Sequence, residues 1–283
     1  MIELRGVDVA IAGRTLLESL DARFAPGELV AILGRNGVGK TTLLRAIAGL
    51  HAPAGGSIHV DGADVTRLAV MQRALRVAFV TSDDVLLDAL RVRDVVAIGR
   101  FPHHRWWQWH EQAADDTAID RALDAVGIAA FAQRLFSTLS SGERQRVWIA
   151  LGLAQATPVL LLDEPTSHLD LRVAHEILGL LRTLASEGKS VVCVLHDLND
   201  AAAYADRIVL LGEGRLLCAD APDAVLASDL PERAYGVAME RVRLHDARLR
   251  VFGTTSGSKR LNAGGGGGRY PEPSRADRGE APQ

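Results

Sequence analysis

The residues in this sequence best suited to chemistry are a glycine-rich loop and a pair of adjacent acids. The loop reads Gly34-Arg35-Asn36-Gly37-Val38-Gly39-Lys40-Thr41 and continues into Thr42. It meets every fixed position of the G-x-x-x-x-G-K-[ST] phosphate-binding pattern. A polyphosphate carries several negative charges. Backbone N–H groups can surround it only where the chain bends tightly and no Cβ intrudes, which requires glycine at 34, 37 and 39. A helix opening near Lys40 points its positive end at the same place. Lys40 supplies a mobile cation for the β- and γ-phosphates, and the Thr41 hydroxyl is placed to coordinate Mg²⁺. A plain glycine turn is the bland alternative. An apolar strand before the loop and a helix after it favour a nucleotide, with the whole stretch 34–42 in contact with it.

The acids close the run Val159-Leu160-Leu161-Leu162-Asp163-Glu164. In an open α/β sheet, ligands bind at the carboxyl ends of strands. Asp163 is therefore expected beside the glycine loop, holding Mg²⁺ directly or through water. Glu164, one residue on, is expected to polarise an attacking water as a general base. Taken alone, two solvated acids at a strand end would be a fair reading. The glycine loop is what turns them into a metal and base pair.

These side chains need a scaffold, and the patterning supplies an α/β one. Apolar runs at 4–11, 16–20 and 29–33, split by Gly13-Arg14 and Pro26-Gly27, read as β-structure. A helix over 41–48 stops at Gly49, with Pro53 beyond. A hairpin turns at Asp61-Gly62, and 77–80 is a short strand. From 84 to 155 the period changes: Ile119, Leu123 and Val126 recur at helical spacing, and no strong strand pattern is present. Strands return at 159–162 and 190–195, wholly apolar as expected when both sheet faces are covered. A helix over 171–184 joins them, and a hairpin over 208–218 follows. Residues 254–283 include five consecutive glycines and three prolines in the last polar stretch, and are expected to be a flexible tail.

Composition bounds the class. Hydrophobic residues make up 48% of the 283 and aromatics 5%, so the core must be mainly aliphatic. A net charge of −3 lacks the basic excess of a nucleic-acid binder, and none is expected as a partner. Cys193 and Cys218 match no metal spacing and read as reduced thiols. The first residues do not read as a signal peptide. No stretch approaches the ~18 apolar residues of a membrane helix, so a membrane role is expected only through a partner.

Three further segments narrow the pattern. Leu139-Ser140-Ser141-Gly142-Glu143-Arg144-Gln145-Arg146 resembles the signature of ATP-binding cassette (ABC) proteins, with Ser141 where that family usually has a second glycine. Ser167-His168-Leu169-Asp170 resembles its D-loop, and His196, directly after an apolar strand, its switch histidine. Each alone is commonplace, since Ser-Ser-Gly-Glu is an ordinary helix cap and a lone histidine at a strand end is usually structural. Their joint order, spread over about 2–226, is specific to this family. The resemblance implies a RecA-like P-loop NTPase core with an N-terminal antiparallel β subdomain and an inserted α-helical subdomain. The cassette would span 1–253, with 1–83 and 156–253 forming the core and β subdomain and 84–155 the helical signature subdomain. It implies ATP and Mg²⁺, with Glu164, His196 and Lys40 catalytic. Ser140, Ser141, Gly142 and Glu143 would cap the γ-phosphate of ATP bound to the opposite subunit of a head-to-tail homodimer. Asp170 would communicate between the two sites. The adenine-stacking aromatic of the family falls at Ile11, which would pack on the base more weakly. The family's Mg²⁺-touching glutamine falls at Ser82, which would reach the metal through water unless Asp83 or Asp84 substitutes.

Val95-Val96-Ala97-Ile98-Gly99-Arg100-Phe101-Pro102-His103 and His196-Asp197-Leu198-Asn199 are similar to segments of ATPases that serve importers of ferric siderophores, haem and cobalamin. That branch implies integral-membrane permease subunits, a substrate-binding protein upstream, and a peripheral position on the cytoplasmic face of the bacterial inner membrane. The alternative, a soluble cassette ATPase of DNA repair or translation, typically has a coiled-coil insertion or two fused cassettes, and neither is present. His103, His104 and His110 with Trp106, Trp107 and Trp109 suit no clear ligand set. They are expected instead at the permease-docking surface, since aromatics are favoured in interface cores.

Overall fold

The computed structural model describes residues 1–81, 87–104, 112–243 and 249–254. Two long antiparallel strands, β1 (Ile2–Ile11) and β2 (Arg14–Phe24), open the chain. Their buried residues include Ile2, Leu4, Val7 and Val9 on one and Leu17, Leu20 and Phe24 on the other, so one face covers a core. β3 (Leu29–Leu33) is buried at every position and leads through the glycine loop into α1 (Lys40–Ile47). β4 (Gly55–Val60) and β5 (Ala63–Asp64) turn at Asp61-Gly62, whose φ values of 48° and 78° are those of a two-residue hairpin turn. α2 (Val70–Ala74) precedes β6 (Val77–Val80).

The elements described between β6 and the next strand are helical: α3 (Val92–Ala97), a 3₁₀ segment (Ile98–His103), α4 (Gln112–Ala125), two further short 3₁₀ turns and α5 (Ser141–Ala154). Then follow β7 (Val159–Leu162), α6 (Leu171–Ser186), β8 (Ser190–Val194), α7 (Leu198–Tyr204), β9 (Arg207–Gly212) and β10 (Arg215–Asp220). The chain continues through α8 (Pro222–Ala227) and α9 (Leu230–Tyr235) to a hairpin of β11 (Met239–Arg243) and β12 (Leu249–Gly253).

The central sheet has the order β10-β9-β3-β8-β7-β6, parallel except where β10 meets β9. Alternate residues of its strands enter two separate cores. Ala31, Leu33, Leu160, Leu162 and Val191 pack with α3 to α6, while Val30, Ile32, Leu161 and Val192 pack with α1 and the antiparallel sheet β2-β1-β4-β5. This two-sided burial is why β3, β6 and β7 are apolar throughout. Because β3, β7 and β8 run in parallel, their carboxyl ends, followed by Gly34, Asp163 and His196, emerge at one edge.

The fold is the α/β class expected. β8 ends at Val194, one residue before the expected limit, and α6 runs two residues longer. Besides the five-residue α2, the sequence reading missed α7, α8, α9 and the β11–β12 hairpin. Helices of six or seven residues show too little periodicity to register, and Pro222 and Pro231, which stand in the first turns of α8 and α9, read as breakers rather than starts. Among the described residues no helix is long and apolar enough to cross a membrane.

Candidate nucleotide site

The glycine loop adopts a backbone that only glycine allows. Gly34 has φ +148°, and a Cβ there would lie 2.5 Å from the Leu211 carbonyl oxygen. Gly39, at φ +110°, caps α1 with no side chain over the first-turn N–H groups, and that turn contains no acid. Those donors are left for an anion. Lys40 is 5% exposed, and its ammonium donates to the carbonyl oxygens of Gly34 at 2.8 Å and Arg35 at 3.2 Å. Burial lowers its pKa below the ordinary lysine value, against the opposing pull of the Glu164 and Asp163 charges. A lysine ammonium has three donors, so it can leave these carbonyls for stronger acceptors.

The acids meet the loop from β7. The Thr41 hydroxyl donates to Asp163 Oδ1 at 3.0 Å. Glu164 has φ +50°, an uncommon backbone for a residue with a side chain. Its Oε1 lies 2.7 Å from His196 Nε2, and its Oε2 accepts from the Ser167 hydroxyl at 3.0 Å. Burial works to raise the Glu164 carboxyl, but the hydrogen bonds from His196 and Ser167, with the His196 and Lys40 charges, outweigh it and hold the group below the usual glutamate value. Glu164 is thus ionised at neutral pH, the state a proton acceptor needs. A cleft of about 450 Å³ joins these parts, lined by Ile11, Arg14, Leu16, Asn36, Lys40, Thr41 and Glu164 among others. Ile11 stands at its edge, 48% exposed.

The serine-rich stretch forms a second helix start elsewhere. Ser140 caps α5: its Oγ accepts from the Glu143 N–H at 3.4 Å, and Glu143 accepts from the Ser140 N–H at 2.8 Å. Ser140 and Ser141 are exposed. Gly142 is buried, and a Cβ there would approach Val173 Cγ1 to 2.7 Å, so α5 begins flush against α6. Asp170 caps α6 by accepting from the Val173 N–H at 2.9 Å. Neither Asp170 nor any residue of 140–143 lines the cleft that holds Lys40 and Glu164.

Ser82, Asp83, Asp84, His110 and the tryptophans at 106, 107 and 109 lie outside the described residues. His103 Nε2 lies 2.9 Å from the Gln155 carbonyl oxygen and His104 Nε2 lies 3.0 Å from Asp115 Oδ2, so both rings are tied to neighbouring elements. Cys193 is fully buried, which pushes its thiol up to about 12 and makes it unreactive. The sequence reading did not find Arg14, Leu16 or Ser167 at the site. Ser167 stands three residues after the candidate base, a spacing that a turn converts into a hydrogen bond. Arg14 and Leu16 show no local signal, since only strand pairing brings them to the loop.

The family model for ABC transporters matches residues 17–167. The chain is 43% identical over 244 residues to the hemin import ATP-binding protein HmuV of Gloeobacter violaceus, covering 84% of this chain and 88% of that one. It is 38% identical over 225 residues to the ferric enterobactin transport ATP-binding protein FepC of Escherichia coli K12, covering 79% and 82%. Among solved structures it resembles a transporter described as of the metal-chelate type, in an inward-facing conformation, with a TM-score of 0.79, 26% identity and coverage of 90% and 98%. It also resembles the dimeric bacterial ABC transporter cassette MJ0796, with a TM-score of 0.68, 29% identity and coverage of 78% and 99%. The chain belongs to the ABC transporter family, as one of its ATP-hydrolysing cassette subunits.

Proposed function

We propose that two copies of this chain close head-to-tail on two ATP molecules and drive import of an iron complex or cobalamin through an integral-membrane permease. One observation carries the dimer: the start of α5 is capped and exposes Ser140 and Ser141, yet stands apart from the cleft holding Lys40 and Glu164 in its own chain. A second copy can bring that helix start over the cleft. The names of the similar relatives, which serve hemin, ferric enterobactin and cobalamin, support the cargo class. In the same reading the chain sits peripherally at the cytoplasmic face of the bacterial inner membrane, with a substrate-binding protein upstream of the permease.

In this reading the N–H groups of 34–42 surround the phosphates, and Lys40 moves from the Gly34 and Arg35 carbonyls onto β- and γ-phosphate oxygens. Ile11 packs on adenine. The Thr41 hydroxyl and Asp163 carboxylate are adjacent hard oxygen donors that fit Mg²⁺, with Ser82 as a further, water-mediated donor. Mg²⁺, when bound, offsets the phosphate charge that builds in the transition state. Glu164 accepts the proton of the attacking water, and His196, already 2.7 Å from Glu164, orients it toward the γ-phosphate. Asp170, at the start of α6, links the two sites. Residues 84–155 form the helical subdomain that presents the signature and meets the permease; the tail expected over 254–283 lies, from 255 on, outside the described residues.

Cross-linking tests the arrangement. With Glu164→Gln to slow hydrolysis, Asn36→Cys and Ser141→Cys in different copies should cross-link only when ATP is present. If ATP-loaded protein never joins those positions across a subunit boundary, the head-to-tail reading fails. Uptake assays with haem, a ferric siderophore and cobalamin, on cells with and without the chain, separate the cargoes.

A further inference from the structure

We propose that Asn199 is a positioning residue through which the C-terminal hairpin holds His196 in place for hydrolysis. The inference rests on the reading of His196 given above. Asn199 donates from Nδ2 to the Val251 carbonyl oxygen at 3.0 Å, and its Oδ1 accepts from the Val251 N–H at 3.0 Å. A carboxamide alone offers donor and acceptor at this spacing, so the side chain pairs with β12 as a neighbouring strand would. Val251 stands opposite Arg241 in the β11–β12 ladder; the Thr254 N–H bonds the Ala238 carbonyl oxygen at the ladder's end, so by antiparallel alternation Arg241–Val251 is a pair without ladder hydrogen bonds, and both Val251 backbone groups go to Asn199. Val251 is 5% exposed, so breaking the pair leaves a nearly buried N–H and C=O without partners.

The link runs directly to the switch histidine. On its upstream side the position is tied to the sheet, where the Leu195 N–H donates to the Ile32 carbonyl oxygen at 3.1 Å. Downstream, Asp197 caps α7 by accepting from the Asn199 and Asp200 N–H groups at 2.6 and 2.9 Å. α7 has seven residues, too few to stand alone. It is held by its cap, by Leu198 and Ala201 in the same core as Val251, and by the Asn199 pair. His196 itself is exposed, with its ring on Glu164. Its downstream anchor is therefore the first turn of α7, and that turn is pinned by a strand more than fifty residues further along the chain. The hairpin lies beyond the residues that carry the catalytic motifs, yet it sets where one of them sits.

Asn199→Leu preserves bulk and removes both hydrogen bonds. Asn199→Asp keeps the acceptor and sets a carboxylate against the Val251 carbonyl, a milder variant if the first does not fold. In steady-state ATPase assays of the full chain, either should lower kcat about 10-fold, the scale of a small misplacement in an active site, while the KM for ATP changes less than about 2-fold. In a His196→Ala background the same change should cost less than about a further 2-fold, because both act through one group. Undiminished kcat in folded Asn199→Leu or Asn199→Asp overturns the proposal. So do losses that multiply in the double variant, and a rise in KM that accounts for the loss. Wild-type turnover in His196→Ala alone would instead remove the reading of His196 on which the inference rests.

Discussion

Replacing Gly34 by alanine should damage both the fold and the site, and the structure separates the two contributions. At φ +148° an L-residue is strained, which costs ~1–3 kcal/mol. The new methyl would stand 2.5 Å from the Leu211 carbonyl oxygen and 3.0 Å from Val38 Cγ1. The Val38 side chain can rotate away. Leu211 cannot, because β9 is locked to β3, with Leu210 paired to Leu33. The loop must therefore back away from β9, and overpacking of this kind adds another ~1–3 kcal/mol. Gly37 is the internal control: its φ is +80°, but a Cβ there meets nothing within 4 Å, so Gly37→Ala bears conformational strain without the clash. Urea unfolding followed by tryptophan fluorescence should give Gly34→Ala a loss of ~2–6 kcal/mol, and Gly37→Ala ~1–2 kcal/mol. ATP titration should show an affinity loss of about 10-fold or more for Gly34→Ala, because the shifted loop carries its N–H donors with it. If Gly34→Ala proves no less stable than Gly37→Ala and binds ATP normally, the account of the loop as a backbone-limited cradle is wrong.

Other perturbations follow the same logic. Burial depresses the Lys40 pKa, so the charged lysine opposes folding at neutral pH, a penalty that disappears only as pH rises past the unfolded value of about 10.4. Lys40→Met should lose ATP binding without a fall in the urea midpoint at pH 7; a marked fall would show that the ammonium stabilises the empty loop. Asp115→Ala leaves Arg100, 8% exposed and bonded to Asp115 at 2.8 Å, as an unpaired buried charge. It should cost ~3–5 kcal/mol in chemical denaturation, and a change under ~1 kcal/mol would refute the buried pair. Hydrogen bonds from Arg5 and Arg23 hold the Glu3 carboxyl down to about 2 from its ordinary 4.5. That contribution is complete above the ordinary value and is lost as pH falls toward 2, so an NMR titration midpoint near 4.5 in the folded chain would contradict it.

Much of this architecture could be read locally. Wholly apolar strands such as β7, the turn at Asp61-Gly62 and the Ser140–Glu143 capping box depend on neighbours within a few residues, so composition and spacing specify them. The loop's glycines belong to the same class, since φ is a property of one residue. What joins the parts depends on chain crossings that no local pattern records. Strand order β10-β9-β3-β8-β7-β6 places Thr41 within 3.0 Å of Asp163 and His196 within 2.7 Å of Glu164. Pairing of β1 with β2 puts Arg14 and Leu16 on the cleft, and packing of the last hairpin brings Val251 to Asn199. Local sequence selects each element because backbone torsions and side-chain periodicity act over a turn or two. Only tertiary burial, by choosing which apolar faces meet, decides which distant polar groups end up within hydrogen-bond reach.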